Sequence, residues 1–179
     1  MTIVIVDNGK GASAIAGDIR SSKIIKPSEI SKIRDAGAWI LSDGKPSKET
    51  EKCFEVLKKT DKPVLALGLG YLYLASAFGA DIVEAKPKKE VMIRIVRNCP
   101  LTTDFKKAFR AVKQCPYAIR NLPEGFDVSA KSDYEFEIIS DIENPFFGVH
   151  FNPELSPETV GILRNFEKFV TEVWEKYHK

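Results

Sequence analysis

Two histidines, three cysteines and one glutamine are present in 179 residues, and each scarcity removes a class of function. With His150 and His178 as the only imidazoles, acid–base chemistry near neutral pH has few candidates, and His178 falls in a terminus expected to fray. Cys53, Cys99 and Cys115 are odd in number and lack the spacing of a metal site. No signal peptide precedes them, so they predict free thiols, a reducing cytoplasm, no metal and no cofactor. No apolar run is long enough to cross a bilayer. Twenty-seven basic against 25 acidic residues leave a net charge of +2, without the basic stripe that nucleic acid requires. The densest basic cluster, "86-KPKKE-90", reads as a solvated turn. Scarce Gln and Met beside plentiful Lys and Glu are compatible with a thermophilic source.

What is present is an alternation of strands and helices. "2-TIVIVD-7" is a β-branched run before a glycine turn, and "22-SKIIK-26", "38-AWILS-42" and "63-PVLAL-67" read as further strands. Ala12 to Arg20 suit a helix, Pro27 and Ser28 open a second with Ile30 and Ile33, and Ser47 can cap a third that carries Cys53, Phe54 and Leu57. A fourth runs from Leu69 to Phe78. This order predicts βαβ units and a mostly parallel sheet with helices on both faces. From about Asp81 the texture turns β-rich, with strands expected at "91-VMIRIV-96", "117-YAIRNL-122", "126-FDVSA-130", "134-YEFEII-139" and "145-PFFGVHF-151". Residues 157–177 form an amphipathic terminal helix. No linker or repeat interrupts residues 1–179, so one domain is expected. "9-GKGAS-13" and "68-GLGYLY-73" are incomplete phosphate and dinucleotide motifs, and neither supports a nucleotide site.

"IVIVDNG", "ILSDGKPS", "PVLALGLGYLYLASAFGA", "NLPEGFDVSAKSD", "FFGVHFNPEL" and "GILRNF" occur in order along nearly the whole chain. Through them the sequence resembles the class I, triad-type glutamine amidotransferases, and within them the glutaminase subunit of archaeal GMP synthase. The resemblance implies a flavodoxin-like α/β fold with a β-rich C-terminal half. It also implies glutamine hydrolysis that supplies ammonia to an ATP-pyrophosphatase synthetase in purine biosynthesis. In such enzymes a cysteine in a G-x-C-x-G turn attacks the amide and a histidine shuttles protons. A glutamate orients the histidine, and backbone N–H groups hold the oxyanion.

Set against that pattern, "66-ALGLGY-71" places Gly68 at the cysteine, and "148-GVHFNPE-154" places Asn152 at the histidine while Glu154 remains. Neither glycine nor asparagine can replace the chemistry, since one has no reactive atom and the other takes no proton near neutral pH. The S-G-G-P loop becomes "42-SDGKP-46". Gly44 and Leu69 then stand at the two oxyanion N–H positions, with Leu69 still able to offer its N–H, and Asp43 opposes negative charge if it points inward. A subgroup motif, S-H-M-D-E-V, becomes "114-QCPYAIR-120". Tyr71, Cys115 and His150 complete the candidate pocket; Tyr71 is expected to fill it, while a buried thiol and a structural histidine are the weightier readings of the other two. His150 and Asn152 should share a strand face roughly 6–7 Å apart.

The expected function is therefore that of a pseudo-glutaminase, a binding or regulatory subunit for a synthetase of the GMP synthase type. The alternatives are a glutaminase or other hydrolase of unorthodox mechanism, using Cys115 or His150, and a sensor that binds glutamine or a related small molecule without cleaving it.

Overall fold

The computed structural model describes residues 1–86, 89–133, 135–141 and 143–178. Nine strands form the main sheet: β1 (Ile3–Val6), β2 (Ser22–Ile25), β3 (Ala38–Leu41), β4 (Val64–Leu67), β5 (Glu90–Ile95), β6 (Ala108–Val112), β7 (Phe126–Lys131), β8 (Phe136–Asp141) and β9 (Phe146–Val149). Their spatial order is β2-β1-β3-β4-β9-β8-β7-β5-β6. The half from β2 to β9 is parallel, and from β9 to β6 each strand runs antiparallel to its neighbour. Crossover connections build the first half, while in the second β7, β8 and β9 follow one another through short turns and longer connections join β5, β6 and β7.

Period-two alternation in the parallel strands divides the core between two faces. Ile3, Ile5, Ile40, Leu65 and Leu67 pack on one face under α1 (Ala12–Gly17) and α4 (Gly161–Lys168). Val4, Val6, Leu41, Val64 and Ala66 pack on the other under α2 (Cys53–Lys59) and α3 (Leu69–Ala77). Every residue of α3 from Leu69 to Ala75 is buried, so this helix runs through the interior rather than along the surface. No helix among the described residues is long and apolar enough to cross a membrane.

Several elements are shorter than the sequence predicts. α1 ends at Gly17 rather than Arg20, where the Asp18 N–H closes the last turn on Ile15. The segment after Pro27 is a 3-10 helix over Pro27–Lys32, clipped by the Lys26 N–H on Glu29 Oε2 at 2.8 Å. Ile33 is already extended, leaving no length for an α-helix. The terminal helix becomes α-helical only at Gly161 and passes through a π-helical stretch, Phe169–Trp174. Thr171 donates its hydroxyl to the Glu167 carbonyl at 3.0 Å there, a contact that loosens helical geometry. Tyr117–Ile119 leaves the main sheet and pairs with Ile82–Glu84. Of the strand expected at 134–139, Phe136 onward is observed and Tyr134 lies outside the described residues. So do Pro87 and Lys88 of the expected basic turn.

The register that matters most is β9 beside β4, with Val149 opposite Leu67. The Gly68 N–H donates to the Val149 carbonyl at 3.0 Å, so the turn after β4 and the stretch 150–154 after β9 meet at the same end of the sheet. Parallel α/β sheets place their sites at that carboxyl end.

Candidate functional site

Gly68 joins β4 to α3 with φ 53° and ψ −109°, a conformation that burdens any residue with a Cβ. The space its side chain would take is filled. An ideal Cβ on Gly68 would lie 2.4 Å from both Cγ and Oδ1 of Asp43. The glycine and the aspartate therefore fit each other, one giving the volume that the other occupies.

Asp43 follows β3, and the residue is 1% exposed. Its Oδ1 accepts the Gly44 N–H at 2.8 Å and the Leu69 N–H at 2.9 Å. Its Oδ2 accepts from Asn152 Nδ2 at 3.1 Å. These two N–H groups stand at the positions that the sequence assigned to oxyanion donors. Asp43 does point inward, and the expectation that Leu69 could still offer its N–H is corrected: that N–H is given to Asp43. Two converging amides aimed at a single oxygen match the demand of an oxyanion, and the carboxylate supplies that oxygen from within the chain.

The loop around Asp43 is held in place for local reasons. Asn8 donates its backbone N–H to Ser42 Oγ at 2.9 Å and its Nδ2 to the Ser42 carbonyl at 2.8 Å, while the Cys53 thiol donates to Asn8 Oδ1. Gly9–Lys10 pairs with Asp43–Gly44 as a short ribbon, and a Cβ on Gly44 would collide with the Asn8 carbonyl at 1.8 Å. Sequence reading passed over Asn8. An asparagine close behind a buried first strand was the available signal.

Asn152, also fully buried, is oriented from three sides. Its N–H donates to the Val112 carbonyl at 2.9 Å, its Oδ1 accepts the Gln114 N–H at 3.0 Å, and its Nδ2 reaches both Asp43 and, at 3.4 Å, Glu154 Oε1. An amide serves here because one end must accept a backbone N–H while the other donates to a carboxylate.

Glu154 is half-buried beside Gly11. Burial, with Asp43 adding to it, pushes its carboxyl from an ordinary 4.5 up to about 6, against the hydrogen bonds from its own backbone and from Asn152. The folded form thus holds its proton more tightly than the unfolded chain. The associated stability is fully present below about pH 4.5 and is lost as the pH rises through about 6. Glu154→Gln is expected to remove this loss, on the order of 1 kcal/mol, so that urea midpoints at pH 7.5 exceed those of the parent and the difference shrinks toward pH 4.5.

The remaining pocket candidates do not join this centre. Tyr71 is fully buried, donates its hydroxyl to the Phe136 carbonyl at 2.7 Å, and stacks on His150 with 4.7 Å between ring centroids. It is a core residue rather than an obstruction over Gly68. His150 and Asn152 leave β9 toward different partners, His150 to Tyr71 and Asn152 to Asp43. Burial, with Lys113 nearby, lowers the His150 imidazole to about 4. Burial pushes the Cys115 thiol up to about 11, so it is a thiol rather than a thiolate at neutral pH.

A sequence profile of the family described as glutamine amidotransferase class-I matches residues 6–171. A glutamine-hydrolyzing GMP synthase subunit of Methanocaldococcus jannaschii is 27% identical over 180 residues, spanning 93% of this chain and 96% of that protein. The Pyrococcus abyssi protein of the same name is 29% identical over 187 residues, spanning 96% and 100%. Among solved structures, a Thermoplasma acidophilum protein described as a GMP synthase subunit superposes with a TM-score of 0.88 at 21% identity, covering 100% of this chain and 98% of that one. A Thermotoga maritima glutamine amidotransferase superposes at 0.71 with 16% identity, covering 100% and 86%. The match over residues 6–171, carried by a mixed β-sheet with a glycine elbow at the carboxyl end of its parallel half, establishes that the chain belongs to the class I glutamine amidotransferase family.

Proposed function

We propose that this chain is a pseudo-glutaminase: an amidotransferase domain that does not hydrolyse glutamine and serves a synthetase of the GMP synthase type as a binding or regulatory subunit in the cytoplasm. The observation that supports this most is the Asp43 carboxylate, which takes both candidate oxyanion N–H groups and fills the volume beside Gly68. A substrate carbonyl entering that position would have to displace a buried acceptor satisfied by three donors. Developing negative charge would then meet a carboxylate instead of free amides. The absence of a nucleophile atom at residue 68 and of a titrating side chain at residue 152 argues in the same direction.

The docking role rests on likeness to relatives named as GMP synthase subunits, matched over nearly their whole length. Calorimetric titration of the purified chain against the ATP-pyrophosphatase subunit from the same organism tests it. Binding at micromolar concentration is expected, unchanged by glutamine. No binding at that concentration would refute the docking role.

Cys115 and His150 do not favour a rerouted hydrolase, since both are buried and neither is paired with the other among the hydrogen bonds of the described residues. A glutamine-sensing role gains no support from the Asp43 centre, where Asp43, Gly68 and Asn152 are all closed from solvent.

A further inference from the structure

His150, Glu137 and Glu135 come together because β8 and β9 pair. The His150 N–H donates to the Glu137 carbonyl at 2.9 Å, one step beyond the Ile138–Val149 pair. Side chains opposite one another on antiparallel strands share a face, and residues two apart on one strand share it too. Ile139 and Gly148 lie on the α3 side, which places Glu137, Glu135 and His150 on that side as well.

The imidazole is held by two contacts. Its Nε2 lies 2.6 Å from the Tyr117 carbonyl. A carbonyl only accepts, so Nε2 carries the proton and, in the neutral ring, Nδ1 presents a lone pair. Tyr71 stacks on the ring with 15° between planes and fixes its tilt. Nδ1 then faces Glu135 Oε2 at 3.7 Å and Glu137 Oε2 at 3.8 Å, too far for hydrogen bonds. Neither Nδ1 nor Glu137 Oε2 has a hydrogen-bond partner among the described residues, and both residues are fully buried.

Lone pairs turned toward one another at this separation suit two ligands of a single cation. With metal–nitrogen and metal–oxygen bonds of roughly 2.0–2.2 Å, ligands at tetrahedral to trigonal angles stand about 3.3–3.8 Å apart. All three ligand atoms lie within 4.8 Å of one another. We propose that His150 Nδ1, Glu137 and Glu135 form a binding site for one divalent transition-metal ion, such as Zn²⁺ or Mn²⁺. Nitrogen with carboxylate oxygen is the donor set such ions accept.

The surroundings are those of a metal site. The Tyr117 carbonyl fixes the histidine tautomer from the far side of the ring. Ser132 Oγ donates to Glu137 Oε1 at 2.8 Å and Lys113 Nζ donates to the same oxygen at 3.0 Å, which leaves Oε2 turned to His150. Lys113 also pairs with Glu135, on the same Oε2 that faces His150 Nδ1, so a bound ion must share that oxygen with the ammonium or displace it. Among the described residues of the cluster, two carboxyl groups stand against one lysine. A cavity of about 410 Å³, lined by Lys86, Glu90, Lys113, Asp133 and Glu135 among others, reaches the cluster at Glu135. Glu135, one of its lining residues, is the partly exposed member of the cluster. No residue is shared with the Asp43 centre.

The test is a Co²⁺ titration of the full chain after chelator treatment, followed by visible absorption, with Zn²⁺ competition and metal content after dialysis. One ion per chain with a d–d band is expected. Glu137→Gln, which keeps shape and the Ser132 contact, should weaken binding at least about tenfold, while His178→Ala should leave it unchanged. A second measurement needs no variant: the ¹⁵N resonance of His150 Nδ1 should leave the range of an unligated lone pair when Zn²⁺ is added. Absence of a cobalt band at millimolar metal, binding unaltered in folded Glu137→Gln, loss of binding in His178→Ala, or an unmoved Nδ1 resonance would each overturn the proposal.

Discussion

Gly68→Cys, the change that restores the nucleophile by composition, is expected to destabilise the protein strongly rather than revive it. Two costs coincide at this residue. A Cβ at φ 53° carries strain of about 1–3 kcal/mol, and the same Cβ would sit 2.4 Å from Asp43 Cγ. Displacing Asp43 would leave the Gly44 and Leu69 N–H groups without an acceptor and Asn152 Nδ2 with Glu154 alone, so a total near 3 kcal/mol or more is expected. For a chain of this size that lowers the melting temperature by roughly 6–12 °C. Gly79→Cys provides the comparison, because Gly79 also has positive φ but a Cβ there meets nothing within 4 Å. It should lose only about 1 kcal/mol. The two glycines thereby separate backbone strain from collision. If Gly68→Cys melts no lower than Gly79→Cys, the volume beside Gly68 is not held by Asp43. Replacing Asp43 with Gly in the Gly68→Cys background should show coupling of about 1–2 kcal/mol, since the two sites are in contact.

Asp43→Ala is expected to be nearly as damaging, for a different reason. The substitution fits without collision but strands the Gly44 and Leu69 N–H groups and leaves Asn152 Nδ2 with only its 3.4 Å contact to Glu154. Each buried unsatisfied group costs about 1–3 kcal/mol, moderated where water can enter, so a loss of about 3 kcal/mol is expected. A structural aspartate of any kind could give that number; the discriminating observation is rescue. Formate carries the missing carboxylate and fits the space of the removed group. Formate at tens of millimolar should raise the melting temperature of Asp43→Ala and leave the parent unmoved, with chloride at equal ionic strength as the control. Equal responses of parent and variant would mean that the two amides do not form an anion cradle.

The fold was legible because its signals are local. Wholly apolar runs at residues 3–6, 38–41 and 64–67, with glycine turns after them, specify buried parallel strands whatever lies elsewhere. The missing helical length after Pro27 and the strand at 108–112 were not, because six residues with mixed polarity fit either helix type and Phe109 and Ala111 make a short alternation. At the site, the sequence alone places Gly at 68 and Asn at 152. What it did not declare was the role of Asp43, as only tertiary packing says whether a carboxylate in a loop points inward. The grouping of Lys113, Glu135, Glu137 and His150 was hidden for a similar reason. Its members come from β8 and its entry and from just beyond the ends of β6 and β9, so no spacing along the chain announces it, and cysteine arithmetic had pointed away from metal.

The central claim is that Asp43 permanently occupies the position an amide oxyanion would need. Ammonia release from glutamine measures it most directly, with the purified chain alone and with its synthetase and that enzyme's substrates. The account predicts release equal to a protein-free control in both conditions. It also predicts no release from Gly68→Cys/Asn152→His while Asp43 is retained. Sustained release that depends on the folded parent chain would contradict it, for the two amides would then have to be open to substrate.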